Sequence, residues 1–288
     1  MHRTAYPQIP LDGLPRWAAV RDPDGAALTT ESGTCTFAEL DQQTDRVAHY
    51  IRRTARSADS VVGVVGAPSA DFAAAYYGAS RSGHTFAAIG PRLGKAPLHH
   101  IFTAAGIEIA FVPAATAALL SAVRGRLPRL HTVVVTGAGR RAAPAGTITL
   151  PSALEGTAHD PVVAGSDLDA VTCVRFHAGS TGLPQGVALT HRSLVTHART
   201  AALAHRLGPQ SVICNRLPDY GDTYLNPGVY AGASQVLCQE PGPAASLAAA
   251  ARAAATHCFE LPERTPCPPA STGADLDGEL FAKPSRAT

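Results

Sequence analysis

Residues 60–66 read SVVGVVG. A β-branched run of this length with no polar alternation is the pattern of a strand buried on both faces. The surrounding chain repeats the theme. Ser69 offers an N-cap for a helix that ends near Gly83; residues 84–89 then read as a strand and 96–105 as a helix stopped by Gly106. Residues 107–112 follow as a strand, 114–124 as a helix and 131–136 (HTVVVT) as another strand. Strands alternating with helices of this length predict an α/β fold with parallel pairing, right-handed crossovers and helices on both faces. Just upstream, Phe37, Leu40, Thr44, Val47, Ala48 and Ile51 share one helix face, opened by Thr36 and Glu39 at capping-box spacing.

A second alternating series occupies residues 170–261, with strands at 170–176, 187–190, 211–216, 234–239 and 257–261 and helices at 191–206, 223–231 and 244–255. The Gly/Pro/Ala/Thr-rich stretch 137–168 reads as a loop or a short edge hairpin between the two series. The predicted organisation is a first α/β lobe over 1–150, a second over 151–262 and a proline-rich, unpacked tail over 263–288. Two parallel-rich sheets with flanking helices result.

Composition narrows the function classes. The chain of 288 residues carries 24 Lys plus Arg against 22 Asp plus Glu, a formal net charge of only +2, so no single-sign field draws in nucleic acid or an anionic membrane. Lysine occurs only at Lys95 and Lys283, which restricts any chemistry that needs a reactive ammonium. The cysteines Cys35, Cys173, Cys214, Cys238, Cys258 and Cys267 form no CxxC pair, which argues against a zinc site or a disulfide framework. Residues 1–15 lack a basic stretch followed by an apolar one, and no long apolar run exists, so a cytoplasmic location is expected.

Chemistry concentrates in residues 172–191, TCVRFHAGSTGLPQGVALTH, a Gly/Ser/Thr loop between two predicted strands. Gly179, Gly182 and Gly186 let backbone amides approach an anion closely, and Ser180 and Thr181 add hydroxyl donors. A structural turn uses glycines too. The Walker pattern is not met, because no Lys-Ser/Thr follows Gly186 and the loop enters a strand instead of a helix.

On these residues the chain resembles the adenylate-forming superfamily of acyl-CoA synthetases, luciferases and nonribosomal peptide adenylation domains. That family's loop is written [YF][TS]SG[ST]TGxPKG, and residues 176–186 follow it closely, with Leu183, Pro184, Thr190, His191 and Leu194 in step. Residues 36–40 (TFAEL), 81–91 (RSGHTFAAIGP), Leu217 with Pro218, and 231–237 (AGASQVL) resemble further family segments in family order, so the likeness spans roughly 30–262. The resemblance implies the family's N-terminal domain without its β-barrel part or C-terminal lid. It also implies ATP or AMP with Mg2+ as ligands, a small carboxylic or amino acid as substrate, and a nucleotide site at His177, Ala178, Gly179, Ser180, Thr181, Gly182, Gln185, Gly186 and His191.

The departures bear on mechanism. Gln185 stands where the family carries lysine, and His177 with Ala178 replace its first two hydroxyl residues. A charge-assisted contact contributes about 1.5 to 3 kcal/mol and a neutral one roughly half of that or less, so nucleotide binding is expected to weaken. The family histidine near the acyl pocket is replaced by Gly221. The magnesium-holding Tyr-Gly-x-Thr-Glu motif, the ribose-binding Asp and the lysine-bearing lid are not recognisable; Lys283 lies in the tail, and residues 278–280 (GEL) match only a fragment of a later motif. The reading is therefore a truncated ligase homologue, weak or inactive alone, that acts as a binding or partner-dependent protein, with a protein partner or a homodimer expected. Two alternatives are an acyl- or aminoacyl-adenylating enzyme completed by a partner, and an enzyme of altered chemistry in which His177 and Gln185 serve a new substrate. Other candidates weigh less: Ser180 as a hydrolase nucleophile lacks the helix such an elbow requires. The histidines His99, His100, His191, His197 and His205 lack carboxylate partners at helical spacing, Cys173 reads as a small buried hydrophobe, and Asp219 with Asp222 as a solvated loop.

Overall fold

The computed structural model describes residues 8–30, 33–66, 69–90, 92–137, 143–163, 167–177, 183–215, 224–238 and 243–259. The tail 263–288, the loop residues 178–182 and the 217–222 segment therefore lie outside the described residues.

Two sheets organise the chain. The seven-stranded sheet runs β7 (Ile148–Thr149), β6 (Thr132–Thr136), β5 (Ile107–Pro113), β3 (Val61–Val65), β4 (Phe86–Ile89), β8 (Val171–His177) and β9 (Gln185–Thr190). The five-stranded sheet runs β12 (His257–Phe259), β10 (Val212–Asn215), β11 (Ser234–Leu237), β1 (Ala26–Thr30) and β2 (Gly33–Thr36). Each sheet thus takes strands from both sides of residue 150. Pairing is parallel except at one edge of each sheet, where β8–β9 and β1–β2 are antiparallel. The sheets are thus parallel-rich, as expected from the alternation, and the two antiparallel edges arise where short connections return the chain directly. The stretch 137–168, read as a loop or hairpin, supplies instead a short strand parallel to β6 and the one-turn helix α6 (Leu150–Ala153).

Helices fill the space between the sheets and cover the outer face of the larger one. Helix α2 (Phe37–Thr54) begins with the expected capping box: the Glu39 N–H donates to Thr36 Oγ1 at 3.2 Å and the Thr36 N–H to Glu39 Oε2 at 2.9 Å. Its apolar face, Phe37, Leu40, Val47 and Ile51, joins Phe72, Tyr76 and Tyr77 of α3 (Ala70–Arg81), Leu194 and Val195 of α7 (His191–Ala204) and Val229 of α8 (Asn226–Ala231) in the core between the sheets. Gly78 lets α2 and α3 touch: a Cβ there would lie 2.6 Å from Val47 Cβ. On the outer face, Leu98, Ile101 and Phe102 of α4 (Lys95–Ala104) and Leu120 of α5 (Ala114–Val123) pack on Val65, Ala110, Val112 and Val135. The other α-helices among the described residues are α1 (Leu14–Arg21) and α9 (Pro243–Arg252), the latter beside β10.

This layering sends successive connections to opposite faces of the larger sheet. The connection after β3 enters α3 on the inner face, whereas that after β4 enters α4 on the outer face. Adjacent parallel strands whose connections depart to opposite faces leave a crevice at their carboxyl ends.

Candidate functional site

The glycine-rich segment starts beside that crevice. Strand β8 pairs in parallel with β4, and the two end on the same side of the sheet, so residues 178–182 follow directly from the carboxyl end of β8. The chain returns along β9, with His177 opposite Gln185 and Phe176 opposite Gly186. Of the residues named for the nucleotide, His177, Gln185 and Gly186 therefore meet at the mouth of one hairpin. Ala178, Gly179, Ser180, Thr181 and Gly182 lie outside the described residues.

Gln185 is exposed at the first position of β9, so its amide is available to an anion but brings no charge. Gly186 answers to packing as well as to ligand approach, since a Cβ there would sit 2.8 Å from Val174 Cγ1 and 3.3 Å from Phe176 Cζ. Just before Gln185, the carbonyl of Pro184 accepts a hydrogen bond from His100 Nε2 at 3.1 Å, which fixes that nitrogen as the protonated one. His100 thereby anchors the exit of the glycine segment to α4. No local pattern marks this residue, because its partner lies 84 positions away.

His191 opens α7, whose N-cap Thr190 accepts from the Ser193 N–H. It turns into the core, where its Nδ1 accepts from the Leu11 N–H at 3.1 Å and stands 3.7 Å from Asp12 Oδ1. Burial pushes the His191 pKa below its ordinary value, opposed by the charges of Asp12 and Asp167. Burial likewise raises the Asp12 carboxyl, against the lowering effects of Arg81 and His191.

Asp12 leads into a buried ionic seam. Arg81, with 1% of its side chain exposed, meets Asp41 at 2.7 Å and Asp45 at 2.9 Å, and its guanidinium also donates to the Asp12 carbonyl. Arg16 meets the same two carboxylates at 3.0 and 2.7 Å. Ser80 donates to Asp12 Oδ1 at 3.2 Å and shares a hydrogen bond with Thr172 at 2.9 Å, so the seam reaches from α2 and α3 to the start of β8. Arg81 stands first in the second family-like segment, yet its burial and partners have no signature in sequence spacing.

Cys173, two residues into β8, is buried, and burial pushes its thiol up to about 12, so it is the inert small hydrophobe expected. His197 and His205 of the suspected histidine trio also have pKa values lowered, first by burial. No group of three or more His, Cys, Asp or Glu suited to a metal occurs among the described residues. A nucleotide would find the exposed, neutral Gln185.

The profile of the family described as "AMP-binding enzyme" matches residues 15–263. Cyclosporin synthetase simA of Tolypocladium inflatum is 26% identical over 216 residues, covering 67% of this chain and 1% of that protein. The fatty acid–[acyl-carrier-protein] ligase ScoC of Streptomyces coeruleorubidus is 25% identical over 195 residues, covering 67% of this chain and 35% of that protein. Among solved structures, the anthranilate CoA ligase AuaEII in complex with anthranoyl-AMP shares the fold at a TM-score of 0.77 and 19% identity, covering 88% of this chain and 49% of that one. The chain thus spans about half of that solved relative and about a third or less of these two curated ones.

Proposed function

The chain belongs to the AMP-binding enzyme family, and from that premise we propose that it binds an adenine nucleotide weakly at the β8–β9 hairpin and is not an autonomous carboxylate-activating ligase. The carrying observation is the exposed, uncharged Gln185 opposite His177 at the mouth of the β8–β9 hairpin. In this reading the segment from Ala178 to Gly182 cradles phosphate through backbone amides and the hydroxyls of Ser180 and Thr181, Gly186 keeps the hairpin closed, and His191 holds α7 in place from behind. The substrate class is a small carboxylic or amino acid, and the location is cytoplasmic. ATP supplies the adenylyl group in this family; in this reading Gln185 contributes orientation and a neutral hydrogen bond where the family carries a lysine.

Calorimetric titration with AMP and ATP tests the binding step. Gln185→Lys should tighten ATP binding about tenfold, the equivalent of about 1.4 kcal/mol for gaining one charge-assisted contact. Pyrophosphate exchange with magnesium and a panel of carboxylic and amino acids should stay at background for the wild-type chain. Exchange at a rate ordinary for a complete ligase would overturn the proposal, as would unchanged affinity in Gln185→Lys.

One observation favours partner completion as a second reading. Leu183 is 52% exposed and Val187 48%, beside the edge of β9 that has no partner strand among the described residues. An edge with apolar side chains invites a further strand or an apolar partner. Adding a lysine-bearing lid domain in trans should then raise exchange above background.

A further inference from the structure

The five-stranded sheet holds a chemical group that nucleotide binding does not use. Cys214 lies near the carboxyl end of β10, in register with Val236 of β11, and Cys238 follows β11 two residues beyond Val236. The two thiols therefore project from the same face of neighbouring parallel strands. Their sulfur atoms are 3.2 Å apart, which is contact distance. Cys214 is buried and Cys238 partly exposed, so one sulfur is reachable from solvent while the other waits behind it.

We infer that Cys214 and Cys238 form a dithiol redox site, which hydrogen peroxide converts into an intramolecular disulfide. The Cys238 sulfur, as thiolate, attacks one peroxide oxygen; the O–O bond breaks, and the departing hydroxide takes up the thiol proton as water. Cys238 is left as a sulfenic acid. The Cys214 sulfur then attacks the Cys238 sulfur, the S–O bond breaks, and the hydroxyl leaves as a second water with the Cys214 proton. Two thiols and one peroxide give one disulfide and two waters, with the sulfurs oxidised by the two electrons that reduce the peroxide. The bridge would join the carboxyl ends of β10 and β11 and close a loop between positions 24 residues apart that includes α8. This site is independent of the nucleotide proposal, and its test reads sulfur chemistry alone.

The test treats the full-length chain with hydrogen peroxide, blocks remaining thiols with an alkylating reagent under denaturing conditions and maps peptides by mass spectrometry without reduction. The expected product is a cross-linked peptide pair containing Cys214 and Cys238, lighter by two hydrogens and restored by dithiothreitol, with Cys35 and Cys173 alkylated. Cys238→Ser should abolish the cross-link. Cys214→Ser should leave Cys238 trapped as a sulfenic acid that dimedone labels. Cys258 is the internal competitor, because it stands directly opposite Cys214 in the β10–β12 register. A bridge from Cys214 to Cys258 or to Cys267, full alkylation of both thiols after peroxide, or over-oxidation of Cys238 with no cross-link would each overturn the assignment.

Discussion

The two faces of the seven-stranded sheet are held by different physics. The outer face under α4 and α5 is aliphatic and aromatic, with Leu98, Ile101, Phe102 and Leu120 at most 2% exposed. The inner side adds to its apolar core the ionic seam in which Arg81 is as buried as any of those residues. Apolar burial requires only shape and removal from water. A buried guanidinium requires oxygen partners placed around it, because the cost of leaving it unpaired is severe. Arg81 finds them on α2, in Asp41 and Asp45, and in the turn before α1, so the seam binds parts of the chain distant in sequence, whereas the outer cluster ties each helix to strands it adjoins.

The largest expected effect separates these regimes. Arg81→Ala removes the buried guanidinium from Asp41 and Asp45, leaving them only the partly exposed Arg16, and should cost about 3 to 5 kcal/mol in urea denaturation. Leu120→Ala, on the outer face, should cost about 2 to 5 kcal/mol through transfer and cavity alone. Adding Asp45→Asn should restore part of the loss in the Arg81→Ala background and none of it in the Leu120→Ala background. Equal responses in the two backgrounds would erase the distinction.

A pH series sharpens the same contrast. Burial holds the folded His191 pKa below its unfolded value, so in that window the unfolded state binds more protons and stability falls as pH falls. The loss should begin as pH drops past about 6.5, the ordinary histidine value, and continue toward the lowered folded pKa. His197 and His205 shift in the same direction and add to the slope. Asp12, raised by burial, contributes with the opposite sign from the ordinary carboxylate value upward. His191→Asn keeps an acceptor for the Leu11 N–H and removes the titration, so its denaturation midpoint should vary less between about pH 7.5 and about pH 5.5 than the wild-type midpoint does. An unaltered slope would remove His191 from the account.

How far the sequence discloses these features follows from their range. The valine runs of β3 and β6 and the spacing of α2 are local, and they predict their elements to within a residue or two at most ends. The sharing of strands between sheets is not local: β1 and β2 join β10, β11 and β12 across some 200 positions, and nothing in residues 26–36 announces that pairing. The hairpin at β8–β9 was legible as two strands around a glycine loop, but its antiparallel return depends on a short connection opposed to the prevailing βαβ pattern. Within the candidate site, residue types at His177, Gln185 and Gly186 could be read, because the glycine loop is a contiguous pattern. His100 at Pro184, and the route from Arg81 through Asp12 to His191, could not, since each bond joins residues that only the fold brings together.

The smallest expected effect concerns the one feature in which local and tertiary information agree. The capping box at Thr36 and Glu39 is written in four residues, and it starts the helix that carries Asp41 and Asp45 into the seam. Thr36→Ala should cost about 1 kcal/mol, the usual value of an exposed cap. If α2 were held by its cap, the variant would also loosen the seam and steepen the pH response. If α2 is held by Arg81 and the core face of Phe37, Leu40, Val47 and Ile51, the loss stays near the cap's own value and the pH profile keeps its shape. The second outcome is expected, because a first-turn hydrogen bond at the surface is minor beside a buried guanidinium and four buried side chains; amide exchange confined to the first turn of α2 would confirm it, and exchange spreading to Asp45 would refute it.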